Sequence, residues 1–434
     1  MHTSIRNMMI VLGCATILCC GASTTTACSS VFFTGTQGEA PAVIARTMDF
    51  EENEGKAIGV GLSGDENVSD VNMQDNVTER AAWTNQYDYI GKLLNRAPMF
   101  VEGINTAGVS VGSFYMPGIT RFAEYDPKGK PALSFVSLIP YLLGMSATVE
   151  EALVNMGKVQ VVMGAFETGP GAYMAPPLHY AIRDKYGKGA VVEFLEGGVR
   201  IYLDKNLTYN INIKELEAAT GGTVNQNYAG AGKVITNNPT YDWQNSYFQK
   251  QDSYFKWTGD RTDRTWDGST MNGSGTYGLC GDWTAPSRFQ RLMALLKPGI
   301  SPIPSTTAQA RYLAYGAILS VIQPAGVSVC PTIWISISDL KKGEYLYRLL
   351  VLFNQKSTDT NTVLEIPDDP GDFRLERFNV NDVKTYLSKK KENVAHIIIK
   401  AGKTLTEKEK SDVMSAFLAP TGGAAPLVTT FYNN

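Results

Sequence analysis

The sequence predicts an α+β protein in which antiparallel sheets are layered against each other and helices cover their outer faces. Of its 434 residues, 44% are hydrophobic and 19% are charged, as in a globular protein with a sizeable core. Strand-like segments occur in groups and helical segments occur in pairs. This grouping favours layered sheets over the regular strand and helix alternation of a parallel sheet.

The predicted strands begin with a hairpin, because β-like residues 29–33 and 42–45 flank a turn that contains glycine and proline. Further strands are predicted at 108–115, 178–183, 190–194, 234–236, 332–338 and 345–353. Apolar residues at helical spacing predict helices at 133–144, 148–156, 286–296 and 307–322. Long loops are predicted at two glycine- or proline-rich stretches, 169–177 and 221–232.

Residues 1–27 have the pattern of a cleaved signal peptide. Arg6 lies in a short polar start, residues 8–22 are apolar, and Thr25-Thr26-Ala27 supply small residues for cleavage. An apolar stretch of about 15 residues is too short to span a bilayer. The pattern therefore predicts export, with the periplasm as destination and full secretion as the alternative, and a mature chain that begins at Cys28 without a membrane span. Lipidation of Cys28 is the alternative, but Thr25 stands where lipoprotein signals usually carry leucine.

The mature chain is predicted to have two parts. The catalytic domain is expected to span residues 28–384. Beyond it the composition changes, because residues 388–392 include a lysine run and Thr406-x-x-Glu409 is a capping box for a separate helix. We therefore expect residues 385–434 to be an appended C-terminal segment.

The composition excludes several classes of site. With 42 acidic and 39 basic residues, the net charge is −3, which gives no basic footprint for nucleic acid. No histidine or cysteine cluster in the sequence has metal-ligand spacing, and His179 and His396 are expected to be structural. We therefore expect no nucleic-acid partner, no metal and no organic cofactor.

One serine motif competes for the role of nucleophile. Gly108-Val109-Ser110-Val111-Gly112 matches the G-x-S-x-G nucleophile elbow. That elbow needs a strand, a strained turn and then a helix, whereas the residues after Ser110 continue as a strand up to the turn at Gly118. The context therefore disfavours a serine triad.

Cys28 combines the predicted cleavage site with nucleophilic chemistry. A terminal cysteine carries its own base, because an α-amine has a pKa of roughly 7.7 to 8.0 and works near neutral pH. A thiol of pKa about 8.5 also needs a neighbouring cation to become a thiolate. Arg46 and Arg288 are the candidates. Two other cysteines remain in the mature chain, Cys280 and Cys330, and the sequence leaves their pairing open.

Five sequence blocks carry a family resemblance. In order they are Cys28, Arg46-Thr47-Met48-Asp49-Phe50, Gly103-Ile104-Asn105-x-x-Gly108 with Phe114-Tyr115-Met116-Pro117-Gly118, Val234-Ile235-Thr236-Asn237-Asn238-Pro239-Thr240-Tyr241-Asp242, and Gly281-Asp282-Trp283-Thr284-Ala285-Pro286-Ser287-Arg288-Phe289. Together they resemble the choloylglycine hydrolase family of N-terminal-nucleophile hydrolases, which includes penicillin V acylases and conjugated bile acid hydrolases. The resemblance covers roughly residues 28–380. It implies a four-layer αββα sandwich of two antiparallel sheets flanked by helices.

The resemblance also implies catalytic roles. Cys28 attacks the carbonyl of the substrate amide, and its α-amine carries the proton to the leaving amine. Asp49 matches the carboxylate that bonds this amine, and Arg46 and Arg288 match two arginines near the thiolate. A structural ion pair is the alternative interpretation of these charged residues.

The oxyanion site is implied in the same way. Asn237 matches the residue whose side-chain amide donates to the oxyanion, and the adjacent Asn238 stays open as an alternative. The main-chain N–H of Tyr115 would be the second donor. At the position of Tyr115, bile acid hydrolases tend to have asparagine and penicillin V acylases tend to have tyrosine. Tyr115 therefore favours an acylase-like substrate.

The expected partner is therefore a small linear carboxamide with an apolar acyl group. Penicillin V-like amides and acyl-homoserine lactones are predicted substrates, and conjugated bile acids are the alternative. The family resemblance and the aromatic-rich residues 243–266 predict that the protein forms a homo-oligomer, specifically a homotetramer. The alternative of another class is an exported binding protein that kept the fold and lost the activity.

Overall fold

The computed structural model describes most of the chain from Cys28 to residue 383 and two later strands. The described residues are 28–35, 40–50, 58–69, 77–94, 99–164, 166–169, 172–257, 262–264, 270–272, 275–324, 328, 330–350, 352–354, 363–365, 376–383, 397–399 and 427–430. The predicted leader, His396, the lysine run at 388–392 and the helix predicted from Thr406 lie outside these residues.

A six-stranded antiparallel sheet contains the N-terminal hairpin. Its strands, in spatial order, are β17 (Val234–Ile235), β1 (Ser29–Thr34), β2 (Ala42–Asp49), β20 (Thr332–Asp339), β21 (Glu344–Leu349) and β24 (Glu376–Asn379). Ser29 lies opposite Thr47 in the pairing of β1 with β2, so the predicted hairpin is confirmed. The hairpin places Cys28 next to the far end of β2.

A ten-stranded sheet faces the first. Its strands, in spatial order, are β16 (Thr223–Tyr228), β15 (Gly198–Asp204), β14 (Gly189–Leu195), β13 (Leu178–Asp184), β8 (Val109–Tyr115), β7 (Phe100–Asn105), β6 (Tyr89–Leu93), β3 (Ile58–Gly61), β26 (Leu427–Thr430) and β25 (Ile397–Ile399). Its central pairings are antiparallel, but those at both edges are parallel. The sequence pattern did not predict the parallel edges.

The two last strands of this sheet lie in the predicted C-terminal segment. Leu427–Thr430 pairs with Ile58–Gly61 of the larger sheet, and Ile397–Ile399 pairs with Leu427–Thr430. Part of the segment 385–434 therefore extends the sheet of the catalytic domain. The boundary at residue 385 stays a prediction.

Ten short strands form two-stranded ribbons outside the main sheets. The pairs are β4 (Glu66–Val68) with β5 (Ala82–Thr84), β9 (Ala132–Ser134) with β10 (Gln160–Val162), β11 (Phe166–Gly169) with β12 (Ala172–Met174), β18 (Thr262–Arg264) with β19 (Thr270–Asn272), and β22 (Leu352–Asn354) with β23 (Val363–Glu365).

Helices cover the outer faces of both sheets. They are α1 (Leu138–Met145), α2 (Val149–Met156), α3 (Ile213–Thr220), α4 (Tyr241–Phe255), α5 (Ala285–Leu295) and α6 (Thr307–Leu319). α1 packs on β7 and β8 of the larger sheet, whereas α6 packs on β1, β2 and β20 of the smaller sheet. The layers are thus helix, sheet, sheet and helix, as expected. Within the described ranges, none of these helices has the length and apolarity needed to cross a membrane.

Polar surface elements account for the main errors in the predicted secondary structure. The loop predicted at 221–232 contains strand β16, whose residues are exposed or half-buried and lack the alternation of a buried strand. Helix α4 was missed, because only four of its fifteen residues are buried and they form no apolar stripe. The helix predicted from residue 133 begins instead as strand β9.

Candidate active site

Strand pairing brings Cys28 to two of the other four sequence blocks. β1 lies between β2 and β17, with Ser30 opposite Arg46 on one side and Ile235 on the other. Cys28 comes two residues before Ser30 and therefore lies at the ends of both neighbouring strands. Asp49 ends β2, and Asn237 follows β17 by two residues.

The sulfur of Cys28 is buried among polar groups. The guanidinium of Arg46 and the main-chain N–H of Asp49 both favour its thiolate form, and the sulfur of Met48 lies 3.5 Å away. Burial raises the pKa of the Cys28 thiol, and the charge of Arg46 opposes that rise. Thiolate formation therefore depends on Arg46.

Arg46 crosses from the smaller sheet to the larger one. Its Nη1 donates to the carbonyl of Val101 at 2.7 Å and its Nη2 to the carbonyl of Ser113 at 2.6 Å. The guanidinium also lies over the ring of Phe114, 4.5 Å from the centroid. These contacts fix the cation beside the sulfur of Cys28.

Glu102 is a buried carboxylate behind Arg46 that the sequence did not single out. Its Oε2 lies 3.6 Å from Nη1 of Arg46. Its Oε1 accepts hydrogen bonds from Ser336 and Tyr345, both at 2.5 Å. A buried charge needs such partners. Nothing in its immediate sequence marks this role, although Glu102 directly precedes the block that starts at Gly103.

Arg288 contacts a different part of Cys28. α5 brings its guanidinium to the main chain, where Nη1 donates to the Cys28 carbonyl at 3.0 Å. Nη1 also lies 3.5 Å from Oδ2 of Asp49, and Nε donates to the carbonyl of Trp283 at 2.9 Å. Arg288 therefore fixes the backbone of the predicted nucleophile, whereas Arg46 reaches the sulfur.

The carboxylate of Asp49 is fully buried and surrounded by donors. It accepts hydrogen bonds from Thr332 at 2.5 Å and from Gln323 at 2.9 Å. Burial nevertheless raises its pKa from 3.8 to about 6, against the opposing charge of Arg288. Burial also lowers the pKa of Arg288. Both shifts have one cause, because the loss of solvation exceeds the attraction between the two charges.

Asn237 contacts Cys28 directly. Its Oδ1 accepts a hydrogen bond from the Cys28 nitrogen at 2.5 Å and another from Nη2 of Arg288 at 3.3 Å. Its Nδ2 donates one proton to the carbonyl of Tyr115 at 2.7 Å. Residue 27 still precedes Cys28 in this chain, so the nitrogen is a peptide N–H rather than a free amine.

The two adjacent asparagines, Asn237 and Asn238, differ in their burial. Asn237 is buried beside Cys28, whereas the side chain of Asn238 is exposed. The geometry therefore brings together Cys28, Arg46, Asp49, Asn237 and Arg288 as one cluster. Tyr115 joins this cluster through its carbonyl, and a role for its N–H stays a prediction.

The serine motif lies apart from this cluster. Ser110 belongs to strand β8, which continues to Tyr115 without the turn and helix that an elbow requires. Cys280 and Cys330 are not joined by a disulfide. Cys28 is thus the nucleophile candidate that the surrounding residues support.

The sequence matches a family model for linear amide C–N hydrolases of the choloylglycine hydrolase family over residues 28–229 and 223–362. The chain belongs to the choloylglycine hydrolase family. A bile salt hydrolase/transferase from Lactiplantibacillus plantarum is 25% identical to it over 287 residues, 62% of this chain and 78% of that protein. As a member of the family, this protein hydrolyses linear amide carbon–nitrogen bonds.

Solved structures confirm the fold of this choloylglycine hydrolase family member. A conjugated bile acid hydrolase from Clostridium perfringens superposes with a TM-score of 0.54 at 18% identity, covering 81% of this chain and 96% of that one. A penicillin V acylase from Agrobacterium tumefaciens gives 0.53 at 20% identity, covering 78% and 86%. The fold is the sandwich of the N-terminal-nucleophile hydrolases.

The titration of Asp49 has a measurable consequence for this family member. Its carboxyl binds a proton more tightly in the folded state, so between pH 3.8 and about 6 the folded state holds more protons than the unfolded state. We therefore expect its contribution to the free energy of unfolding to fall by about 3 kcal/mol as the pH rises through this window.

Urea unfolding of the parent and the Asp49→Asn variant at several pH values measures this effect. The variant cannot titrate at this position, so the parent-minus-variant difference in unfolding free energy should decrease between pH 4 and pH 6 and then level off. A difference that is constant or increases with pH across that range contradicts the raised pKa.

Proposed function

We propose that this protein is a cysteine-nucleophile amidohydrolase that attacks its substrate with Sγ of Cys28, once removal of residues 1–27 has made Cys28 the N-terminal residue. The surroundings of this one residue carry the proposal. Arg46 and the Asp49 N–H favour the thiolate of its sulfur, while Asn237 and Arg288 form hydrogen bonds with its main chain. The family match also begins at residue 28.

The first half of the reaction forms a thioester. The α-amine of Cys28 takes the thiol proton, and Sγ forms a bond to the carbonyl carbon of the amide. The carbonyl electron pair moves onto oxygen, where the second amide proton of Asn237 stabilises it. When the carbonyl re-forms, the carbon–nitrogen bond breaks, and the α-ammonium group gives its proton to the leaving amine.

The second half releases the acid. The α-amine takes a proton from water, and the resulting hydroxide attacks the thioester carbon. A second oxyanion forms and collapses, so that the carbon–sulfur bond breaks and the carboxylic acid leaves. The thiolate takes the proton back from the α-ammonium group. The charge of Arg46 stabilises the thiolate in both halves.

The proposed substrates have an apolar acyl group on a linear amide, as in penicillin V and acyl-homoserine lactones. Tyr115 supports this preference, because its side chain is half-buried and its carbonyl is bonded to Asn237. An aromatic side chain at this place offers an apolar surface to an aryl or alkyl chain. Conjugated bile acids are the second candidate, because the relative from L. plantarum is a bile salt hydrolase/transferase.

A substrate panel tests the proposal. The mature protein should release the free amine from penicillin V or acyl-homoserine lactones faster than from glycine- and taurine-conjugated bile acids. Intact-mass measurement of the purified protein checks that the chain begins at Cys28. A faster release from bile acids would reverse the order of the two candidates. A folded protein with a free Cys28 terminus that cleaves none of these amides would support the binding-protein alternative instead.

The proposal includes export to the periplasm and assembly as a homotetramer. The leader pattern supports export. α4 supports assembly, because Trp243 and Tyr254 are 48% and 80% exposed and Trp243 packs against Tyr247 with a centroid distance of 5.2 Å. Exposed aromatic residues of this kind are enriched at protein interfaces.

A further inference from the structure

His179 contacts the segment that carries Asn237. It lies on β13 with its ring buried, and its Nε2 is 2.8 Å from the carbonyl oxygen of Thr236. A carbonyl accepts hydrogen bonds only, so Nε2 carries the proton in this contact. Thr236 directly precedes Asn237. The donor from His179 therefore holds the start of the loop between β17 and α4.

Glu193 holds the other end of the same loop. It lies on β14, where its Oε1 is 3.3 Å from Nδ1 of His179 and accepts a hydrogen bond from the main-chain N–H of Tyr241 at 2.7 Å. Tyr241 is the first residue of α4, so its N–H has no partner within the helix. The carboxyl group of Glu193 thus satisfies that N–H and lies against Nδ1 of the same imidazole that donates to Thr236.

Gln244 holds the middle of the loop. Its Nε2 donates to the carbonyl of Asn237 at 3.0 Å and to the carbonyl of Pro239 at 2.8 Å. Its Oε1 accepts from the hydroxyl of Thr236 at 2.6 Å. These bonds order the backbone on both sides of Asn237, and the His179–Glu193 pair ties that backbone to the larger sheet.

We propose that His179 and Glu193 are positioning residues that hold Asn237 in the geometry required for oxyanion stabilisation. The inference rests on the proposed function, in which Asn237 is the oxyanion donor. Such a donor works only at about 2.7 to 3.1 Å from the position that the charged oxygen will occupy. A small displacement of the loop therefore costs transition-state stabilisation without removing any group that touches the substrate.

The test distinguishes a defect in the oxyanion site from a defect in the nucleophile Cys28. Turnover of the best amide in the panel depends on both the oxyanion site and the nucleophile. Alkylation of Cys28 by iodoacetamide is a direct displacement and needs no oxyanion donor. A positioning role for His179 affects turnover and leaves the alkylation rate nearly constant.

His179→Leu removes the donor to Thr236. We expect kcat to fall by about 10²-fold, near the low end for loss of an oxyanion donor, with KM little changed. The rate of Cys28 alkylation should stay within about twofold of the parent. His179→Gln, whose amide can donate from a similar place, should recover most of the lost kcat. Tyr180→Phe is the matched control.

The control removes a buried hydrogen bond from the neighbouring residue. The hydroxyl of Tyr180 donates to the carbonyl of Phe135, away from the Asn237 loop, at 3.3 Å. Its loss should leave kcat unchanged. The inference is overturned if His179→Leu keeps the parent kcat, or if turnover and alkylation fall by the same factor. If His179→Leu does not fold, Glu193→Gln takes its place. We expect Glu193→Gln to lose about tenfold in kcat. An unchanged kcat in that variant overturns the inference.

The Asn237→Ala variant distinguishes failure of this inference from failure of the proposed function. If Asn237→Ala keeps the parent kcat, Asn237 is not the oxyanion donor and the proposed mechanism fails at that step. If Asn237→Ala loses activity while His179→Leu retains it, the mechanism stands and the positioning role is wrong.

Discussion

Replacement of Cys28 by serine is expected to lower kcat on every hydrolysed amide by a factor on the order of 10⁶, the loss seen when a hydrolase nucleophile is removed. The hydroxyl of serine is far less acidic than a thiol, so neither the α-amine nor Arg46 can supply an equivalent alkoxide. Steady-state assays of the purified parent and Cys28→Ser proteins measure this loss.

Two controls make the result specific to the nucleophile. Intact mass must show that residue 28 is N-terminal in both proteins, because an uncleaved leader would block the α-amine in either case. Cys280→Ser changes a half-buried thiol outside the cluster and should keep the parent kcat. Turnover by Cys28→Ser at a rate close to the parent would exclude Cys28 as the nucleophile.

Replacement of Asn237 by alanine is expected to lower kcat by about 10²- to 10³-fold. The change removes the side-chain amide that donates to the oxyanion in the proposed mechanism. It also removes the hydrogen bonds of Oδ1 with the Cys28 nitrogen and with Arg288. Steady-state kinetics together with the melting temperature of each protein separate the catalytic effect from a loss of stability.

The adjacent residue provides a matched control. Asn238 is exposed, so Asn238→Ala changes the same side chain one position away and should leave kcat within about twofold of the parent. Equal losses in both variants would indicate disruption of the loop rather than loss of a donor. A greater loss in Asn238→Ala would reverse the assignment of the two asparagines.

The secondary structure predicted from the sequence is correct where burial produces a pattern. Strand β13, predicted at 178–183, is buried throughout, and helix α2 begins close to the predicted residue 148, where Thr148 accepts a hydrogen bond from the Glu151 N–H at 3.1 Å. Strand β16 and helix α4 were missed because their exposed residues are not constrained to be apolar. Their positions depend on pairing with β15 and packing against α5.

The candidate site was predicted from motifs, and the structure added the residues that support them. Glu102 and Glu193 were not predicted, and His179 was expected to be structural only. Each contacts a predicted residue or its loop from a distant strand, as in the ion pair at 3.6 Å between Glu102 and Arg46. A single sequence contains no local signal for such contacts, because they form only when the two sheets face each other.

By itself, the sequence determined the family, the sandwich architecture and the five predicted catalytic residues, since spaced motifs and buried strands leave a local record in the order of the amino acids. Only the tertiary structure decided that Arg46 reaches the sulfur of Cys28 while Arg288 holds its carbonyl, and that Asn237 rather than Asn238 lies in the cluster. Those distinctions depend on strand register and on which sheet each side chain faces, and both are fixed by long-range packing.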